Sequence, residues 1–105
     1  MNAEALKQIG ERICERRKQL HLTQEQLAEM MNVSIQMISN LERGNKAIKI
    51  ENLIRISEIL KVSTDYILFG EFSNRDISVT AEKISKLSES DYKMIDMLID
   101  YCLNK

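Results

Sequence analysis

Residues 23–44 constrain the fold most strongly, because they read as two short helices joined by a tight turn. Thr23 is followed three residues later by Gln26, which is the spacing of a capping box at a helix N-terminus. Asn32 is the expected turn residue, since Asn tolerates the left-handed backbone conformation better than other non-glycine residues do. Ser34 is the expected N-cap of the second helix, and the glycine at the end of the stretch is expected to terminate it.

Apolar residues in this stretch predict how the two helices pack. Those expected to face inward are Leu27, Ala28, Met31, Val33, Ile38 and Leu41. Ala28 is expected where the second helix crosses the first most closely, because a larger side chain would hold the helices apart. The small residue, the turn former four positions later and the branched apolar residue six positions after that have the spacing of a helix-turn-helix.

Composition predicts an all-α chain, since its 105 residues include no Pro and only three Gly. This length fits one small domain and an extension. No apolar run could span a bilayer and no signal segment opens the chain, so we expect a cytoplasmic protein with no membrane partner. Cys14 and Cys102 lack the spacing of a zinc or redox site, and we expect two buried, reduced thiols.

Helical periodicity and capping residues predict the order of the elements. We expect five helices in residues 1–70: one from Asn2 or Ala3 to about Leu20, the two motif helices, one at 50–60, and a short one that ends at Gly70. Residues 71–79 are polar without a helical period and read as a linker. Residues 80–105 are expected to form a C-terminal helical segment, with one helix capped by Thr80 and a last one capped by Ser90.

The last predicted helix, at 91–103, has too wide an apolar surface for one small domain. Its apolar residues cover an arc of roughly 240°, whereas a helix packed on one domain needs a stripe of about 100–140°. A second copy of the chain would cover the excess, so we predict a homodimer. The residues expected in that interface are Met94, Ile95, Leu98, Ile99 and Cys102. The alternative is a helix buried within its own subunit.

Several motifs, in the right order and at the right separations, resemble the Cro/cI-type (lambda-repressor-like) DNA-binding domains. They are LTQEQLA at 22–28, VS at 33–34, ISNLERG at 38–44, LKVS at 60–63 and DYIL at 65–68. This resemblance spans about residues 9–70. It implies a five-helix domain that binds double-stranded DNA, with the N-terminal end of the second motif helix in the major groove.

The resemblance also implies which residues meet the DNA. Base contacts are expected from Ser34, Ile35, Gln36 and Asn40, to which the outward position of Ser39 adds a fifth candidate. Phosphate contacts are expected from Thr23, Gln24, Arg43, Asn45 and Lys46. Gln and Asn can pair with adenine N6 and N7, and the methyl groups of Ile35 can pack on a thymine methyl.

The formal net charge of −1 is unusual for a DNA-binding domain. Affinity for DNA depends on the charge near the binding surface rather than on the total charge. Residues 1–70 carry 10 Lys and Arg against 9 Asp and Glu, a net charge of +1. The cations expected beside the DNA surface are Arg17, Lys18, Arg43, Lys46 and Lys49. In the resembling family an Arg and a Glu at the positions of Arg17 and Glu42 pair across the domain; the alternative is two independent surface charges.

Two functional hypotheses follow from these patterns. The first is a sequence-specific DNA-binding regulator of transcription, expected to repress, that acts as a dimer on a near-palindromic operator. The second is an antitoxin or a regulator that binds a protein partner through its Met-rich last helix. No catalytic constellation, metal-ligand spacing or phosphate-binding glycine loop is recognisable, so we expect neither an enzyme nor a cofactor. The single histidine, His21, is expected at a helix end or on the surface.

Overall fold

The computed structural model describes residues 2–105, and that part of the chain contains seven α-helices and no strand. The helices are α1 Ala3–Gln19, α2 Gln24–Met31, α3 Ile35–Glu42, α4 Ile50–Leu60, α5 Thr64–Phe69, α6 Asn74–Ser85 and α7 Glu89–Leu103. The predicted all-α class is confirmed. Contacts divide the chain between Ser73 and Asn74 into an N-terminal unit, with α1–α5, and a C-terminal unit, with α6 and α7.

Capping side chains explain where α2 and α3 begin. Thr23 Oγ1 accepts a hydrogen bond from the Gln26 N–H at 3.0 Å, and Gln26 Oε1 accepts one from the Thr23 N–H at 2.9 Å, which completes the predicted capping box. Ser34 Oγ accepts from the N–H three residues on at 3.1 Å. Between the helices Asn32 adopts the left-handed conformation with φ of 56°. Gly44 follows α3 with φ of 75°.

The N-terminal unit has a continuous apolar core to which all five of its helices contribute. Its buried side chains are those of Ile9, Ile13, Leu27, Ala28, Met31, Ile38, Leu41, Ile56, Leu60 and Ile67. Five of the six motif residues predicted to face inward are among them, and Val33 is half-buried against the same core. The core therefore holds α3 by one side and leaves its other side exposed.

A glycine lets α1 approach the end of α3. A Cβ atom on Gly10 would lie 2.5 Å from the carbonyl oxygen of Glu42, closer than real Cβ contacts come. This close approach brings the end of α3 against α1. Arg17 lies on the same face of α1 two turns further along, so its side chain can reach the Glu42 carboxylate.

The C-terminal unit differs from its prediction at the start of both helices. The predicted linker at 71–79 and the N-cap at Thr80 are wrong from Asn74 onward, because α6 begins there. Ile77, Ala81 and Ile84 already have helical spacing, and this period crosses the expected boundary. The N-cap of α7 is Ser88 rather than Ser90, since Ser88 Oγ accepts from the Asp91 N–H at 3.2 Å.

The expectation of two buried thiols is also wrong. Cys14 is half-buried and Cys102 is exposed, although both are free. Cys102 lies on α7, where no residue is buried, so its apolar neighbours along the helix do not shield it. Within residues 2–105 no helix has the length and apolar character needed to cross a bilayer.

Candidate nucleic-acid interface

The outward side of α3 carries the predicted base-contacting residues. Ser34, Ile35 and Gln36 are exposed, and Ser39 and Asn40 are half-buried. Ile35 is 48% exposed although it is branched and apolar. The opposite side of α3 is anchored in the core, so these five side chains share one accessible surface at a fixed angle to the unit. We call this surface the reading face.

Hydrogen bonds link three side chains along α3. Gln36 Nε2 donates to Asn40 Oδ1 at 3.2 Å, and an Arg43 guanidinium nitrogen donates to the same oxygen at 3.1 Å. Sequence patterns place these residues one turn apart but do not show that they bond to each other. Ser34 Oγ accepts the bond of the helix cap, which leaves its hydroxyl proton and one lone pair free for further bonds.

The predicted phosphate-contacting residues lie in two segments, one at the start of α2 and one after the end of α3. Thr23 and Gln24 lie at the N-terminal end of α2, where free backbone N–H groups and the helix dipole favour an anion. Arg43, Asn45 and Lys46 follow the end of α3 and are exposed. The Asn45 N–H donates to the Asn40 carbonyl at 2.9 Å, which fixes the start of this loop to α3.

Arg17 and Glu42 form a two-point ion pair inside the domain. Arg17 Nε lies 2.7 Å from Glu42 Oε2, and Arg17 Nη2 donates to Oε1 at 3.0 Å. Both residues are 8% exposed, so they are not independent surface charges. Burial raises the pKa of Glu42, but hydrogen bonds from Arg17, Gln24 and Cys14 together hold that pKa below its usual value. The hydrogen bond to Glu42 raises the pKa of Arg17.

Gln24 belongs to this buried network as well as to the expected DNA surface. Its Nε2 donates to Glu42 Oε1 at 3.0 Å, and its side chain is half-buried. The sequence did not predict this bond, because the two residues are 18 positions apart. The carbonyl oxygen of the amide cannot bind phosphate, so Gln24 must contact phosphate through its second amide N–H or its backbone N–H.

Many of the arginines stabilise the fold, which explains why the overall charge is a poor guide to this surface. Arg12, Arg16 and Arg55 donate to main-chain carbonyls at the C-terminal ends of α5, α4 and α2 at 2.8–3.0 Å. Arg17 is neutralised by Glu42. Three cations in the predicted positive patch have side chains that form no hydrogen bond or ion pair within residues 2–105, namely Lys18, Lys46 and Lys49.

Comparisons with known proteins agree with this geometry. A family model described as helix-turn-helix matches residues 15–67. The cryptic phage CTXphi transcriptional repressor RstR of Vibrio cholerae is 31% identical over 98 residues, which cover 90% of this chain and 87% of RstR. The regulator DicA of Escherichia coli is 35% identical over 89 residues, which cover 85% of this chain and 65% of DicA.

A solved structure is also similar to part of the chain in both sequence and fold. It is the P22 c2 repressor protein in complex with a synthetic operator, with 43% identity and a TM-score of 0.58. The match covers 60% of this chain and 96% of that one. The likeness therefore includes sequence as well as fold.

Proposed function

The chain belongs to the Cro/cI-type helix-turn-helix family of DNA-binding transcriptional regulators, and from this premise we propose that it is a dimeric repressor of a near-palindromic operator. The reading face carries the proposal, because it presents polar amides on a helix whose other side is fixed in a core. The relative RstR is a transcriptional repressor, which favours repression. We also propose that the protein works in the cytoplasm and needs no cofactor.

In this mechanism α3 enters the major groove and α2 lies across the backbone. Base edges are met by Ser34, Ile35, Gln36, Ser39 and Asn40. Phosphates are met by Thr23, Gln24, Arg43, Asn45 and Lys46. The phosphate contacts fix the position of the domain on the duplex and the base contacts select the sequence.

The C-terminal unit supplies the proposed dimer contact. Met94, Leu98 and Ile99 are exposed and Ile95 is half-buried, although all are apolar. One α3 reads only a few base pairs, so two copies related by a two-fold axis double the site. The two half-sites would then lie about 34–36 Å apart, one turn of DNA.

A second candidate is regulation through a protein partner that binds α7. Met94 and Met97 are 58% and 71% exposed, and flexible thioether side chains suit adaptable interfaces. A tight one-to-one complex with another protein, together with DNA binding that shows no sequence preference, would favour this candidate over the repressor.

The test separates residues that read bases from those that hold phosphates. Gln36→Ala removes an exposed amide, so we expect an intact fold, a loss of about 1–3 kcal/mol per half-site on the preferred duplex and little change on random DNA. Lys46→Ala should weaken both duplexes together and lower the salt slope by about one ion per subunit. Both variants would be titrated against both duplexes at several salt concentrations.

Two results would contradict the proposal. Equal losses on the preferred and random duplexes for Gln36→Ala would show that α3 does not read bases at this residue. A wild-type protein that binds all duplexes equally would remove sequence selection altogether. Circular dichroism of each variant provides the control for folding.

A further inference from the structure

The strongest unexplained feature of the reading face is the shared acceptor Asn40 Oδ1. This oxygen accepts one hydrogen bond from Gln36 Nε2 at 3.2 Å and another from Arg43 at 3.1 Å. The three residues lie on successive turns of α3 and its C-cap, so their side chains are neighbours along the helix surface. Asn40 is therefore held from both sides.

The chemistry of arginine decides which way the Asn40 amide points. A guanidinium has five N–H donors and no acceptor, so the Asn40 atom that faces Arg43 must be the oxygen. The Gln36 atom that faces the same oxygen must in turn be its nitrogen. Arg43 thus fixes the orientation of both amides.

Donor and acceptor capacity then differs between the two amides. An amide oxygen has two acceptor lone pairs, and the bonds from Gln36 and Arg43 use both of those on Asn40. Asn40 keeps only N–H donors for the DNA. Gln36 keeps its Oε1 acceptor and one N–H donor, so it can still pair with adenine N6 and N7.

We infer that Arg43 is a positioning residue that holds Asn40 as a donor and makes it select a keto base, guanine or thymine. Guanine presents O6 and N7, and thymine presents O4, all of which accept hydrogen bonds in the major groove. Adenine accepts only at N7 and places its N6 donor beside that atom, and cytosine presents the donor N4. In either base an amino group would therefore face an Asn40 N–H unpaired. This inference rests on the proposed function and refines it, because it replaces the adenine pairing expected for Asn40.

Two neutral substitutions of similar length test the role of the Arg43 donor. Arg43→Gln keeps an amide donor for Asn40 Oδ1, whereas Arg43→Met keeps none. Both lose the positive charge, so any loss of affinity from charge is the same in both. The affinity of each variant would be measured on duplexes in which every base pair of the preferred half-site is replaced in turn by the other three.

We expect the wild-type protein to prefer guanine or thymine at the position whose preference Asn40→Ala abolishes. Arg43→Met should reduce that preference about five-fold or more, since it frees the Asn40 oxygen, while Arg43→Gln should retain it. Adding Arg43→Met to Asn40→Ala should change nothing further at that position. Lys46→Met is the matched control, and it should lower affinity for all duplexes alike.

Two outcomes would overturn the inference and leave the proposed function intact. One is the same base preference in the Met and Gln variants. The other is a wild-type preference for adenine or cytosine at the Asn40 position. A wild-type protein with no base preference anywhere would instead overturn the proposed function, and the inference with it.

Discussion

The N-terminal unit buries ten apolar side chains in one core, whereas no residue of α6 or α7 in the C-terminal unit is buried. Both units are helical and both contain many apolar residues, so composition does not separate them. Leu98 is 54% exposed and Met97 is 71% exposed, whereas the core side chains of the N-terminal unit are at most 6% exposed. The N-terminal unit buries its own apolar side chains, whereas the C-terminal unit leaves apolar side chains exposed, which is the basis of the proposal that a second chain covers them.

Charged side chains show the same contrast. The Arg17–Glu42 pair in the N-terminal unit has side chains that are 10% and 4% exposed, and Gln24 adds a third hydrogen bond to it. The Lys86–Glu82 pair in the C-terminal unit has a separation of 3.6 Å and side chains that are 73% and 69% exposed. Water screens the second pair but has little access to the first.

The largest expected effect comes from breaking the buried pair. Glu42→Ala leaves the Arg17 guanidinium buried without its partner, and we expect it to lower the free energy of unfolding by about 3–5 kcal/mol. Glu82→Ala makes the same change in the exposed pair and should cost less than about 1 kcal/mol. Urea unfolding of both variants measures the difference. Similar losses in the two variants would show that burial does not distinguish the pairs.

The next effect concerns the exposed apolar surface of α7. Leu98→Asp places a charge among residues expected to meet a second copy, so we expect monomers in light scattering at micromolar concentration. Loss of the second DNA-binding unit should weaken operator binding by about 100-fold or more, because linked binding events reinforce each other. Asn104→Asp adds the same charge at the C-cap of α7, outside the predicted contact, and should leave the dimer intact.

The dimer prediction also has a clear contrary result. A wild-type protein that is already monomeric at that concentration would refute the proposed interface. So would a Leu98→Asp variant that remains dimeric, since the charge would then have to lie outside the contact. Either result would mean that self-association through α7 does not account for its exposed apolar side chains.

The same two units differ in how well the sequence predicted them. In the N-terminal unit the two motif helices have both a capping residue and an apolar period, and the two signals agree on where each helix begins. Thr23 with Gln26, and Ser34 after Asn32, place α2 and α3 correctly. In the C-terminal unit Thr80 was predicted as an N-cap, but it lies inside α6. No residue of α6 is buried, so the sequence had no pattern of buried positions there to mark the true start of the helix.

Long-range bonds were mostly beyond prediction from a single sequence. The Arg17–Glu42 pair was expected only through a family resemblance, and the bond from Gln24 to Glu42 was not expected at all. The sequence offered no reason for a glycine at position 10 inside a helix. The structure supplies it, because the backbone at the end of α3 lies too close to Gly10 for a side chain. The outward positions of the reading face were predictable from helical period, but the hydrogen bonds that orient Asn40 depend on side-chain geometry.

The smallest expected effect is a pH dependence that arises in the N-terminal unit. Burial raises the pKa of Glu42, and the hydrogen bonds from Arg17, Gln24 and Cys14 outweigh it, so the folded pKa lies below the value in the unfolded chain. As the pH falls, the unfolded state therefore takes up this proton first. The stability that the carboxylate contributes is complete above the ordinary Glu pKa of about 4.3 and is lost as the pH falls from there through the folded pKa.

Glu42→Gln removes this titration and keeps a side chain of similar shape. We expect the difference in unfolding free energy between the wild-type protein and Glu42→Gln to be constant above about pH 5 and to shrink below about pH 4.3. The slope cannot exceed about 1.4 kcal/mol per pH unit, because one proton is involved. Urea unfolding across this pH range measures it, with Glu82→Gln as the matched change in the exposed pair. A difference that stays constant down to the acid transition would mean that Glu42 titrates alike in both states, and the buried pair would then hold its carboxylate no more tightly than water does.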